Sequence, residues 1–409
     1  MLADGQFGKG AAMLLGRDFN LFFVGATLSA IGTALVPVAL SFAVIGAGYS
    51  ASALGMALAA QALPTVVLLL FGGVLGDRWP RRRIMIWADL LRFVAQSLLA
   101  LALIRGEAPL PVIIGLTALI GVGTAFFYPA RGGLVAQIVA KERLTRANGA
   151  LSAVNSFASI LGPILAGILV ASVGSGWAIG LDGLTYAVSA LCLVLVRQRG
   201  QAGQAGASRS VLEDLRLGLA AFGSRRWLWI VVAQFGLLNL IALAPFMVAP
   251  VLLAGLPHGA QNWGMVLGAI GVGGLAGAVA VMRWQPARAM VAIQVAVLLL
   301  AAPLFLLAAT AAFPLLLLGG ITFGAGGAVV NVMIGTLIQR EIPTELLSRV
   351  FSIVQIAAGV LAPAGYALAG PAATWLGPHR TLAAGAGIAL ASVAGLLCLS
   401  EVRQFGART

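Results

Sequence analysis

Residues 73–85 read GVLGDRWPRRRIM: one acid and four arginines packed between two long apolar stretches. From Ser52 to Gly76 the chain carries no charge at all. Each arginine costs roughly 2.5–3.5 kcal/mol at the centre of a bilayer. The segment therefore reads as a short water-facing loop joining two membrane-spanning helices.

The rest of the chain agrees. Of 409 residues, 61% are hydrophobic and 9% charged, with a mean hydropathy of +1.04. A soluble domain carries about 25% charged residues, so lipid is the solvent for most of this chain. Glycine, at 53 residues, is enriched in the way expected where helix backbones approach closely without a hydrophobic drive. The first twenty residues contain Asp4, Lys9, Arg17 and Asp18 and read as a first span that inserts uncleaved. Cys192 and Cys398 sit in apolar runs and read as buried small hydrophobes.

At about 20 apolar residues per span, the expected spans are 19–46, 52–76, 84–104, 110–132, 148–173, 176–196, 227–255, 261–282, 289–310, 314–339, 349–374 and 380–400. Twelve is even, so both termini fall on one side. That side holds all of the 25 Lys and Arg residues except Arg105 and Arg380, which by the positive-inside rule makes it cytoplasmic. The same rule accounts for the net charge of +13 without a nucleic-acid partner. The segment 197–226 is a cytoplasmic linker. Its start is flexible in composition, and Leu212, Leu215 and Leu219 share a face in a candidate surface helix over 211–222. It divides the chain into bundles 1–196 and 227–409.

The two halves also resemble each other. Gly121, Gly123, Ala125, Gly132, Leu134, Glu142, Leu144 and Arg146 recur 203 residues later as Gly324, Gly326, Ala328, Gly335, Leu337, Glu345, Leu347 and Arg349. Gly55 and Met56 recur 209 residues later as Gly264 and Met265. A repeat near half the chain length fits two facing six-helix bundles.

These features together resemble the major facilitator superfamily. Gly73, Leu75, Asp77, Arg78, Arg81 and Arg82 fall on its loop signature between helices 2 and 3, with Pro80 in place of a glycine. A narrower similarity is to bacterial drug, macrolide and siderophore exporters. It is carried by GVLGDRWPRRRIMIWADLLR, GVGTAFFYPARGGLVAQIV and the stretch from ERLTRANG through LGPILAG to LDGLTYAVSAL. Gly162-Pro163-x-x-Ala166-Gly167 is similar to an antiporter signature of helix 5. Relatives often carry an acid midway along helix 1; Ser29 to Thr33 has none.

The resemblance implies an all-α inner-membrane protein of twelve helices in two pseudo-symmetric bundles. It would export a small apolar or amphipathic compound by alternating access, as a monomer with protons as coupling ion. Alternatives are a siderophore, metabolite or lipid carrier, or a non-transporting sensor. Gate and conformational candidates are Gly73, Asp77, Arg78, Arg81, Asp89, Arg92, Arg131, Gly162, Pro163 and Gly167. Asp89 and Arg92, three apart, can pair on one helix face. Pro163 bends its helix.

Cavity candidates are Ser29, Thr33, Tyr128, Asn155, Ser159, Gln234, Asn239, Phe246 and Asn331, drawn from helices 1, 4, 5, 7 and 10. Asp182 reads as the one acid well inside an apolar run, about one turn into helix 6, and an intramembrane acid is a functional candidate by default. His258 and His379 lack metal-ligand spacing. No Walker loop or Ser/His/Asp arrangement is present, so neither an enzyme nor a cofactor is expected.

Overall fold

The computed structural model describes residues 16–197, 225–283, 288–309, 312–343 and 359–404, with isolated positions between them. The side chains of 69–78 lie outside that description, as does the candidate surface helix over 211–222. The elements are α1 (Arg17–Gly46), α2 (Ala51–Arg78), α3 (Arg81–Ile104), α4 (Leu110–Ile138), α5 (Leu144–Val173) and α6 (Ser175–Leu195) in the first half. The second half holds α7 (Arg226–Ala254), α8 (Gly259–Arg283), α9 (Ala289–Ala309), α10 (Phe313–Glu341), α11 (Ala362–Leu376), α12 (Pro378–Cys398) and the short α13 (Ser400–Gln404).

Helices α1 to α10 and α12 are long and apolar enough to cross a membrane, taking Ala51–Leu68 as the window of α2. The span expected at 349–374 falls partly outside the described residues, which resume with α11. α7 is broken at Ala242–Leu243 into Arg226–Ile241 and Ala244–Ala254.

The charged loop is shorter than its sequence suggests. α2 runs through Arg78 and α3 starts at Arg81, so only Trp79 and Pro80 lie between helices. Pro80 takes the N-cap position of α3, where its missing N–H costs nothing. Arg82 reaches across to the end of α6, donating from Nε to the Leu193 carbonyl (2.7 Å) and from Nη2 to that of Val194 (2.6 Å). A cation on orphan C-terminal carbonyls is a stabilising cap.

Helix packing repeats between the halves. α2 packs on α4, α3 on α6 and α3 on α4; α8 packs on α10, α9 on α12 and α9 on α10. The halves meet through α5 on α8 and α11 on α2, two contacts that exchange when helices shift by six. A side chain added at Gly55 would strike the Tyr366 carbonyl, and one at Gly264 the Pro163 carbonyl. Gly167 abuts Ala260 and Gln261, while Gly370 abuts Ala51 and Ser52. Each pair maps onto the other by the shifts of 203 and 209 residues already visible in the sequence. The turns repeat too: Gly174 (φ 93°) and Gly377 (φ 85°) both hold the left-handed conformation that glycine tolerates.

These contacts lie at the end of the molecule away from the basic residues. There Ser52 and Thr374 hydroxyls also meet across the halves at 3.3 Å. Toward the basic end, Tyr128, Asn155, Asn331 and Val332 are exposed, so the bundles are apart and the space between them is open.

Candidate functional site

Two cavities border that opening. One, of about 190 Å³, is walled by the first bundle and includes Ser29, Thr33, Arg92, Tyr128, Arg131 and Asn155. The other, of about 340 Å³, lies between the bundles and is mostly apolar, with Pro37, Pro163, Phe246, Trp263, Leu267 and Tyr366. Ala34 and Ser159 border both. The apolar cavity falls within the 300–1,000 Å³ of small-molecule sites. A third, of about 30 Å³, lies inside the second bundle and shares Phe246, Trp263 and Ile270 with the apolar one.

Beneath the first cavity lies a buried polar cluster. Arg92 pairs with Asp89 one turn earlier on α3, both fully enclosed. The Arg92 guanidinium sits 4.2 Å from the Phe127 ring centroid and 4.3 Å from that of Tyr186, a cation held by two aromatic faces. The Tyr186 hydroxyl is 3.0 Å from Thr33 Oγ1, which faces the cavity. Gln96 Nε2 donates to Asp182 Oδ2 at 2.7 Å. A side chain at Gly32 of α1 would collide with Asp182 Oδ1 and Thr185, so the acid presses against the middle of helix 1. Among the described residues, Asp182 Oδ1, Asp89 Oδ2, Gln96 Oε1 and Arg92 Nε have no hydrogen-bond partner. Three of these are acceptors lacking a donor, and such a deficit in a buried network requires an explanation.

Several expectations are corrected. Asp182 lies seven residues in from Ser175, about two turns rather than one, and it is not alone, because Asp89 is equally buried. The Asp89–Arg92 pair forms on one face of α3 as its spacing implied, and it belongs to this buried cluster. Gln234 borders none of these three cavities. It is buried and exchanges two hydrogen bonds with Gln294 of α9, at 2.7 and 3.0 Å. Asn239 donates to the Phe235 carbonyl and Asn331 to that of Gly327, each on its own helix, and neither borders these three cavities. Cys398 is exposed rather than buried.

Ser29, Thr33, Tyr128, Asn155 and Ser159 do border the first cavity, and Phe246 the second. Gly73, Asp77 and Arg78 fall where side chains are not described. Arg81 lies against Gly133 of α4. Gly162 meets Ala34 of α1, and Pro163 and Gly167 meet Gly264 and Ala260 of α8.

Sequence reasoning missed Gln96, Tyr186 and Trp263, which carry no motif of their own. It also missed an echo that the 203-residue shift reveals: Gly162-Pro163-x-x-Ala166-Gly167 recurs in α11 as Gly365-Tyr366-x-x-Ala369-Gly370. Gly365 packs on Asn239 and Leu240 of α7 as Gly162 packs on α1.

Two pseudo-symmetric helical bundles around a central opening, with a polar cluster buried beside it, define a polytopic transporter rather than an enzyme. The chain belongs to the Major Facilitator Superfamily, whose sequence model matches residues 22–366. Among its relatives, the multidrug efflux pump Tap of Mycolicibacterium fortuitum is 29% identical over 386 residues, 89% of this chain and 91% of that pump. Macrolide efflux protein A of Streptococcus pyogenes is 30% identical over 179 residues, and the match spans 44% of each chain. In fold, the nucleoside transporter NupG superimposes with a TM-score of 0.72 at 13% identity, over 93% of this chain and 98% of that one. A bacterial homolog of the lysosomal transporter Spinster, in an inward-facing and unoccupied conformation, gives 0.66 at 14% identity over 98% of both.

Proposed function

We propose that this protein exports a small apolar or amphipathic organic compound across the bacterial cytoplasmic membrane. It works as a monomer by alternating access between its bundles, in exchange for protons, with both termini in the cytoplasm. The observation that carries this reading is the buried acid Asp182 beside the first cavity, with Tyr186, one turn further along α6, linked to the cavity wall through Thr33. A proton added to Asp182 turns an unmatched acceptor into a donor within a cluster short of donors. Its arrival or loss thus biases the packing of α1, α3 and α6, the kind of two-state element that coupling requires. The names of the two relatives support the outward direction.

The test is transport by the full-length protein in everted membrane vesicles with an acid interior. Export appears there as gradient-dependent accumulation of a fluorescent neutral amphipath such as dansylamide, abolished by a protonophore. Accumulation unaffected by the protonophore contradicts proton coupling, and binding without movement favours a sensor. Single cysteines at Ser208 and His258, in a background without Cys192 and Cys398, should label from the cytoplasmic and outer sides respectively.

A further inference from the structure

We infer that the paired cavities select amphipathic organic anions, with Arg131 holding the anionic head and the Phe246–Trp263 wall holding the apolar body. The inference rests on the export reading and names the substrate class of the same site. Among the described residues, the lining of neither cavity contains an aspartate or glutamate. It contains two guanidinium groups, and they differ. Arg92 is matched by Asp89 and covered by two rings. Arg131, on α4, has no ion pair among the described residues and lies half-buried at the cavity wall.

A guanidinium in that setting offers a planar fork of donors, the geometry matched by a carboxylate or sulfonate. A cationic head would meet like charge at Arg131, and no acid lines the same wall among the described residues. Asn155 and Ser159 face the same space with neutral polar groups. Across the shared border at Ala34 and Ser159, the wall is mostly apolar and suits the hydrophobic body of an amphipath. The basic residues that crowd the open end steer anions toward this mouth.

A lipid headgroup carries the same chemistry as a soluble anion, so the test separates them. Full-length protein in phosphatidylcholine nanodiscs is titrated with dansylglycine, dansylamide and dansylcadaverine, which present one fluorophore with anionic, neutral and cationic ends. Dansylglycine is expected to bind about tenfold or more tighter than dansylcadaverine, the span of one charge-assisted contact. Arg131→Gln should bring that ratio to near unity, and Arg131→Lys should keep most of it. If Arg131→Gln does not fold, displacement of dansylamide from the wild type by benzoate and not by benzylamine gives the same answer.

Equal or cation-favouring affinity, an unchanged ratio in Arg131→Gln, or absence of dansylglycine binding overturns the assignment. Loss of the preference when phosphatidylglycerol replaces part of the lipid overturns the exported anion in favour of a headgroup. Proteoliposomes keep the two readings apart. Gradient-driven movement of dansylamide with no anion preference in binding leaves export standing and removes the anion site. An anion preference without movement of any probe does the reverse.

Discussion

The two bundles share one architecture and differ in what fills it. In the first, Asp89 and Arg92 of α3 and Asp182 and Tyr186 of α6 form a charged, hydrogen-bonded cluster. A shift of 208 residues along α9 puts Val297 and Leu300 at the equivalents of Asp89 and Arg92, and Leu304 at that of Gln96. A shift of 203 along α12 puts Gly385 and Ala389 at those of Asp182 and Tyr186. The contact survives the change of chemistry: Gln96 bonds Asp182, and Leu304 packs on Gly385. Duplication therefore preserved helix geometry, while ionisable groups were kept on one side only. The second bundle supplies an apolar wall, and among its described residues the buried polar side-chain pair is the uncharged Gln234–Gln294.

The shared part of the comparison predicts the largest effects. Gly167→Leu and Gly370→Leu each force a side chain into backbone of the opposite bundle. Both should abolish transport, and to a similar degree, because the two contacts are equivalent. Vesicle transport normalised to folded protein checks this. Loss in one variant and wild-type rates in the other would break the symmetry.

The unshared part comes next. Arg92→Leu strands Asp89 in a buried site, a loss of about 3–5 kcal/mol, seen as a strong drop in thermal stability and in transport. Val297→Ala, at the mirror position of Asp89, removes packing alone and should cost under about 2 kcal/mol. Comparable losses for the two would deny that the halves differ in kind.

The smallest effect belongs to the glutamine pair. Gln234→Leu leaves the Gln294 amide unpaired at about 1–3 kcal/mol, whereas the double change to leucine restores most of the stability. Both variants should transport, since neither residue borders the three cavities. A double variant that is stable and inactive would return Gln234 to the substrate path.

This difference also explains what the sequence disclosed. Lipid imposes runs of apolar residues and a charge asymmetry, and both survive in linear form, so the spans, the division into halves and the repeat were legible. The Glu-x-Leu-x-Arg agreement at Glu142 and Glu345 marked the register. The cluster was legible only in part. Asp182 stood out as a charge in an apolar run and the Asp89–Arg92 pair through its i,i+3 spacing, but nothing in the sequence joined the two. Gln96, Tyr186 and Trp263 matter through tertiary contacts that no local spacing encodes. Gln234 and Asn239 showed the converse: polarity within a span is satisfied by a neighbouring helix or by its own backbone as readily as by a ligand.

The most direct measurement of whether Asp182 carries the coupling is transport by Asp182→Asn in proteoliposomes, followed with and without an imposed pH gradient. The substitution keeps the shape of the side chain and its hydrogen bond from the α3 side, and removes the titratable proton. The account predicts that gradient-driven uphill accumulation disappears while downhill exchange and substrate binding persist. Uphill accumulation at the wild-type rate in Asp182→Asn would contradict it, and would move coupling to Asp77 and Asp89 or to another cation.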